Sequence, residues 1–332
     1  MTYEQYHHPV MVSETVGFLV KGAGIYVDGT LGGGGHSFAM LMAMRNAGIE
    51  DDSLLIGIDQ DRHAICEAEK KLEGFARNTR LVQGNFRDIA AIVGDIGKRE
   101  LPGGKVRGML LDLGVSSFQI DTPERGFSYL RSGPLDMRMN PEGAVTAADI
   151  VNSYDEQLLS DIIYRYGEEK KSRRIAAALC SWRKGRGRIS STGELASIVR
   201  QVVRDPGQQI KSLSRVFQAL RIVVNDEFGA LEEVLKSGSE CLDPQGRLAV
   251  ISYHSLEDRA VKQCFRRLAA DDWGPKGVGL REPLKAAGFR LVTPKPVVAG
   301  GNELARNPRS RSARLRVIEK KECPGGKSEN AH

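Results

Sequence analysis

A parallel α/β sheet covered on both faces, interrupted by a helical insertion, is the architecture this sequence predicts. Three observations carry it. Short apolar runs without polar alternation recur in the first third and near the end, as strands buried on both faces require. Stretches with helical spacing separate them. Between the two regions, residues 155–203 give helical signals only.

Each element has its own local cause. Gly24-Ile25-Tyr26-Val27-Asp28 reads as a short buried strand, followed by a glycine-rich loop and a helix from about Ser37 to Arg45. Leu54 to Asp59 is a second strand, and Asp61 after it is a helix N-cap, with Ile65, Ala68 and Leu72 at helical spacing. Arg80 to Gln83 is a third strand. Gly108 to Asp112 is a fourth, apolar until its last residue. Residues 119–150 are rich in Gly, Pro, Asp and Arg and show no period. Helices then follow at Leu158–Ile163, Ile175–Trp182 and Leu195–Val203, with a long helical stretch from Phe217 to Leu235. Leu242 to Gly246 is a turn, Arg247 to Ser252 a strand, and Glu257 to Leu268 a helix. Phe289–Val292 and Arg314–Ile318 form a last pair of strands. The expected organisation is a discontinuous α/β domain at 1–118 and 214–320, an inserted helical substrate-recognition domain at 119–213, and a flexible tail at 321–332.

Composition bounds the function. At 332 residues, 41% hydrophobic and 27% charged, the chain is an ordinary globular one. No apolar run reaches the 18 or so residues of a membrane helix, and Met1 to Gln5 does not open a signal peptide, so a cytoplasmic protein without a membrane partner is expected. Cys66, Cys180, Cys241, Cys264 and Cys323 are scattered and form no CxxC pair, which disfavours a zinc ribbon or disulfide framework. The six histidines form no ligand cluster, so no metal is expected. The net charge of +6 is unevenly spread. Residues 165–215 hold thirteen Lys/Arg against four Asp/Glu, and residues 306–321 hold seven against one. Two basic zones on a mildly acidic body suggest a polyanion footprint.

The loop from Asp28 to His36 contains Gly32-Gly33-Gly34-Gly35 between a strand and a helix. A phosphate-binding P-loop would place Lys-Ser/Thr after its last glycine, but His36-Ser37 stands there. The dinucleotide pattern fits Gly32 and Gly34, yet Ser37 fills its third position. Asp59 ends the second strand and is placed to accept the hydroxyls of a ribose. Asp28, Asp59 and Asp112 all end strands, where ligands of such folds sit. Three acids there suit a cofactor carrying a sulfonium or ammonium and would repel a diphosphate.

At this point the sequence resembles the RsmH (MraW) family of S-adenosylmethionine-dependent methyltransferases, which act on N4 of a cytidine in 16S ribosomal RNA. The resemblance covers nearly the whole chain. Its segments are His8-Pro9-Val10-Met11, Tyr26 to Thr30 running into Gly34 to Ser37, Gly57 to Asp61, and Leu111 to Ser117. Glu124 to Ser128, Gly133 to Met139 and Ile251 to Arg259 complete it. It implies a class I (Rossmann-like) S-adenosylmethionine-dependent methyltransferase fold with an inserted helical domain. It also implies cofactor contacts at Gly34, Gly35, His36, Asp59, Phe86, Asp112 and Gln119. The glycine loop would pass the methionine part, and Phe86 would pack on the adenine. The implied partners are 16S ribosomal RNA and the small ribosomal subunit, with a homodimer also compatible. Position 1402 of that RNA comes from the family name alone.

Two departures from methyltransferases at large stand out. The usual first motif has glycine where this chain has Thr30, and the Asn/Asp-Pro-Pro-aromatic signature of many amino-group methyltransferases is replaced by Asp112-Leu113-Gly114-Val115. The group that handles the amine proton is therefore open. Asp112, accepting a hydrogen bond from N4, and His254, removing a proton afterwards, are the catalytic candidates. Ser116 and Ser117 are further polar contacts. The basic residues Arg173, Arg174, Arg183, Lys184, Arg186 and Arg188 form a candidate RNA clamp, and Arg309, Arg311, Arg314 and Arg316 a second basic face. The rival readings are a non-catalytic RNA-binding protein that kept the fold and an NAD-dependent oxidoreductase. Ser37 and the three acids disfavour the second.

Overall fold

The computed structural model describes residues 9–274 and 281–322. The chain opens with α1 (Val12–Leu19), β1 (Ile25–Asp28), α2 (Gly35–Asn46), β2 (Leu54–Asp59), α3 (Arg62–Lys71), β3 (Thr79–Gln83), α4 (Ile89–Glu100) and β4 (Val106–Asp112). A helical series follows: α5 (Ser117–Asp121), α6 (Ala147–Ser153), α7 (Glu156–Gly167), α8 (Ser172–Arg186), α9 (Thr192–Val202) and α10 (Pro206–Asn225). The α/β series resumes with α11 (Glu227–Cys241), β5 (Arg247–Ser252), α12 (Ser255–Leu268), β6 (Phe289–Leu291), α13 (Gly301–Arg306) and β7 (Arg314–Lys320). Two compact units result. One is 115–229; the other combines 9–114 with 230–322.

The α/β unit is a seven-stranded sheet of order β3-β2-β1-β4-β5-β7-β6. Strands β1 to β5 run parallel, and β7 is antiparallel to both β5 and β6. Alternate side chains of a strand point to opposite faces, so each central strand feeds two cores. On one face Val27, Ile56, Met109 and Val250 pack with Ile89 and Val93 of α4, Leu231 and Val234 of α11, and Phe265 of α12. On the other, Tyr26, Leu55, Leu110 and Ile251 pack with Leu19 of α1, Met40 and Leu41 of α2, and Ile65 of α3. Strand order reverses between β1 and β4, the switch point where such sheets open a crevice beyond their carboxyl ends.

The helical unit has a core of its own, in which Leu159, Ile162 and Ile163 of α7 meet Ile175 and Leu179 of α8, Leu195 and Val199 of α9, and Val216 and Phe217 of α10. Of its helices α5 to α10, all but α8 begin on a side-chain cap. Ser116, Thr146 and Ser191 form capping boxes with Gln119, Asp149 and Glu194, while Asp155 and Asp205 cap α7 and α10. Each cap satisfies backbone N–H groups that the first turn leaves free.

The structure departs from the expected outline in four places. A boundary at 213/214 would cut α10, whose Leu213, Val216, Phe217 and Leu220 all belong to the helical core; the unit instead runs from 115 to 229. The stretch 217–235 is two helices, because Asp226 takes a left-handed backbone (φ 46°) with no Gly or Pro to announce it. The aperiodic stretch 119–150 contains the start of α6, which Thr146 and Asp149 cap. Arg314 and Arg316 do not form a free basic face. Arg316 is buried, with Nε 2.7 Å from Asp258 Oδ1, and Arg314 Nη1 lies 3.0 Å from Asp258 Oδ2. The expected tail falls, beyond Glu322, outside the described residues, as does His8.

Candidate active site

Strands β1, β2 and β4 each end on a carboxylate, as expected, and the parallel register sets these ends side by side: Asp28 pairs with Gly57 and with Leu110. Asp28 is buried. Its Oδ1 accepts the Thr30 N–H at 3.2 Å and its Oδ2 the Ser37 hydroxyl at 2.7 Å. Burial pushes its carboxyl above the usual range against these bonds and the nearby His36. Ser37, the residue that spoils the dinucleotide pattern, is thus a partner of the first acid. Thr30 has a similar explanation. Its hydroxyl accepts the Asp112 N–H at 2.6 Å and ties the end of β4 to the loop after β1, which a glycine cannot do.

Asp59 is held from both sides. Its Oδ2 accepts the Gly32 N–H and its Oδ1 the Asp61 N–H, each at 2.8 Å. Burial pushes its carboxyl up to about 6, with Asp61 and Asp28 adding repulsion and the two N–H bonds opposing. A carboxylate offers about four acceptor positions, so two remain for hydroxyls. Gly32 and Gly34 adopt left-handed backbone, φ 50° and 74°. Gly34 is the N-cap of α2, and a Cβ there would stand 3.2 Å from that of Ala68. A Cβ on Gly35 would strike Pro9 Cγ at 2.9 Å. At Gly32 the nearest atom to such a Cβ is Thr30 O at 4.0 Å, so the loop leaves open room there.

Asp112 is held by two side chains from other elements. The Tyr253 O–H donates to its Oδ1 at 2.7 Å, and His36 Nδ1 lies 3.6 Å from its Oδ2. Burial pushes its carboxyl up to about 6, opposed by His36 and Tyr253 and reinforced by Asp28 and Glu257. His36 is itself buried, with Nε2 2.9 Å from the Val10 carbonyl. A carbonyl only accepts, so Nε2 carries the proton.

The remaining expected residues stand as follows. Phe86 opens a single 3-10 turn after β3, half-buried, with its Cβ 3.4 Å from where one on Gly29 would be. Gln119 belongs to the helical unit, where its Oε1 accepts the Ser116 N–H at 3.0 Å. His254 is the N-cap of α12. Its Nδ1 accepts the Glu257 N–H at 3.3 Å, and its Nε2 lies 3.0 Å from Glu257 Oε1. The structure therefore joins Asp28, His36 and Asp112 directly and links Asp59 to them through the glycine loop. Tyr253 was not foreseen. Its signal was its place one residue past β5, the strand that pairs with β4.

This strand order, with its antiparallel β7, and the carboxylates around a glycine loop define a class I (Rossmann-like) methyltransferase, for which S-adenosylmethionine is the methyl donor. Its sulfonium and ribose match a site of carboxylate acceptors with open room at Gly32. The chain belongs to the MraW methylase family, whose model matches residues 4–321. It is 65% identical over 325 residues to the ribosomal RNA small subunit methyltransferase H of Chlorobium phaeobacteroides strain BS1, covering 98% of each chain. It is 62% identical over 325 residues to the protein of that name in Prosthecochloris aestuarii, again covering 98% of each. Among the described residues no helix is long and apolar enough to cross a membrane.

Proposed function

We propose that this protein methylates N4 of a cytidine in 16S ribosomal RNA of the small subunit, at position 1402, in the cytoplasm. The observation that carries the chemistry is the row of acids at the strand ends, with Asp112 clasped between Tyr253 and His36. The relatives named for small-subunit ribosomal RNA support the substrate.

When bound, S-adenosylmethionine supplies an electrophilic methyl group on sulfur. In this reading Asp59 uses its two open acceptor positions for ribose hydroxyls. The backbone of Gly34, Gly35 and His36 passes the methionine part, and Phe86 presents its ring to the adenine. Asp112 Oδ2 accepts a hydrogen bond from the cytosine amine and so orients a nitrogen whose lone pair is otherwise delocalised into its ring. Asp112 would thereby hold the amine in line with the methyl group that a bound cofactor would offer. Asp112 Oδ2 then takes the surplus amine proton. His254, occupied as a helix cap, is a structural part in this scheme, and the role of Gln119 rests on the family pattern alone. Nucleoside analysis of small-subunit RNA after incubation with protein and cofactor tests the assignment: N4-methylcytidine at one position is expected, and methylation of another base or atom overturns it.

The pH dependence follows from the two raised carboxyls. Both must be ionised to accept ribose hydroxyls or offset a sulfonium, and both take up protons near pH 6. Cofactor affinity should therefore fall by roughly tenfold or more from pH 7.5 to pH 5. Calorimetric titration at both values checks this, and a flat profile contradicts both roles.

On the helical unit, the basic clamp is partly spoken for. Arg183 Nη1 donates to Val151 O, Arg186 stacks 4.4 Å over Trp182, and Arg188 pairs with Asp149 at 2.7 Å. Arg173, Arg174 and Lys184 are exposed. Replacing Arg173, Arg174, Lys184 and Arg186 with Ala should lower the salt dependence of RNA binding, by about 0.7 unit of logarithmic slope for each phosphate no longer neutralised on single-stranded RNA. Cofactor affinity should hold. An unaltered slope places the RNA path elsewhere.

A further inference from the structure

We propose that Tyr253 is a positioning residue for methyl transfer, whose phenol O–H pins one oxygen of Asp112 so that the other stays ionised and aimed at the reacting amine. The proposal rests on the reading that Asp112 lies in the transfer site. Tyr253 acts through Asp112 and not on the methyl group.

Three independent features hold the phenol in place. First, its O–H donates to Asp112 Oδ1 at 2.7 Å, across 141 residues of sequence. A hydrogen bond to a carboxylate is about twice as strong as one between neutral groups. Second, the backbone of Tyr253 is fixed by the helix that follows. Its N–H donates to Glu257 Oε2 at 2.9 Å, in the capping box that His254 shares. Third, the ring lies beside Gly114 at the turn after β4: that glycine has φ 105°, which other residues rarely adopt, and a Cβ there would meet Tyr253 Cδ2 at an ordinary contact distance of 3.6 Å. The Leu113 N–H donates to Ile251 O at 2.9 Å, so the ends of β4 and β5 are stitched together beside the pair.

The direction of the hydrogen bond is set by charge. Asp112 faces His36 from α2, Asp28 from β1, Tyr253 beyond β5 and Glu257 from α12. Tyr253 faces Asp112, Glu257 and, from α13, Glu303. Burial first, and then this ring of acids, hold its hydroxyl well above the usual phenol range, so it stays a donor. The donated bond favours the charged form of Asp112. Without it, burial first, and then the charges of Asp28 and Glu257, would press Asp112 toward its neutral form, which cannot take the amine proton.

Tyr253→Phe keeps the ring and removes only the donor. Cofactor titration from pH 5 to 8 should show the midpoint of affinity loss shifted up by about one pH unit. Affinity at pH 8 should stay within about threefold of wild type, where Asp112 remains ionised. Single-turnover transfer at pH 7 should slow by about tenfold: about twofold because half of Asp112 is then neutral, which pH 8.5 recovers, and the rest because the remaining carboxylate has lost its aim. A residue that merely filled space would leave the pH midpoint where it is. An unmoved midpoint, or a wild-type transfer rate, overturns the proposal. A wild-type protein that binds cofactor but leaves the RNA unmethylated overturns the substrate reading alone, since the binding titration still decides for or against Tyr253. Thermal melting shows that the variant remains folded.

Discussion

Asp112→Asn should make the free protein more stable while removing most of its methyl transfer. Burial lifts the Asp112 carboxyl from an ordinary value near 3.8 to about 6. The folded state thus holds this proton more tightly than the unfolded chain. Stability falls as pH rises from about 4 to 6 and stays low above that range. A shift of roughly two units corresponds to about 3 kcal/mol at neutral pH. The amide avoids that cost and loses little. Its oxygen still accepts the Tyr253 O–H, and its NH2 faces His36 Nδ1 where Asp112 Oδ2 stood at 3.6 Å. A gain of about 1–3 kcal/mol, or several degrees in melting temperature, is expected at pH 7.5. It should shrink to about a third of that near pH 4.5. Activity should drop by about 10²–10⁴-fold, because the amide cannot take a proton. Melting curves at both pH values and single-turnover transfer decide the matter. A variant that melts at or below wild type at pH 7.5 contradicts the account.

Asp59→Ala should weaken cofactor binding by about 1.5–3 kcal/mol, roughly 10–150-fold, the range for hydrogen bonds to a charged group. The loss has two parts. The hydroxyl acceptors go, and the Gly32 and Asp61 N–H groups lose the carboxylate that orders the loop. Calorimetry on the purified variant measures the sum. Unchanged affinity in a folded variant removes Asp59 from the ribose role.

The legible part of this protein was the part written in local chemistry. Runs of four to six residues that stay apolar until a final acid announced β1, β2 and β4, and the same acids announced the site. Asp61 could be read as a cap because its side chain serves the backbone two residues on. What escaped depends on distant partners. Nothing near Tyr253 in the sequence says that Asp112 will receive its hydroxyl. Thr30 looked like a departure from a motif until its bond to Asp112 supplied the reason. Arg314 and Arg316 looked like a basic face because the carboxylate that neutralises them, Asp258, lies 56 and 58 residues away. The bend at Asp226 carried no breaker residue, so the end of α10, and with it the edge of the helical unit, could not be read from local signals.

The insertion of the helical unit between β4 and β5 also orders events in time. Val106 N donates to Asp243 Oδ2 across 137 residues, and β4 lies against β5 along its length. During synthesis β4 leaves the ribosome long before its neighbour exists. The helical unit has its whole core on hand by then, with neighbouring helices in contact through short connections, which favours rapid folding. The sheet must wait for its later strands, including β7, which arrives last and inserts between β5 and β6. Until β5 arrives the edge of β4 is an unpaired strand edge, and until β7 arrives that of β5 is one, the kind that invites misassociation. For this chain, the vulnerable interval in biogenesis is therefore the one between completion of the helices and arrival of the final strand.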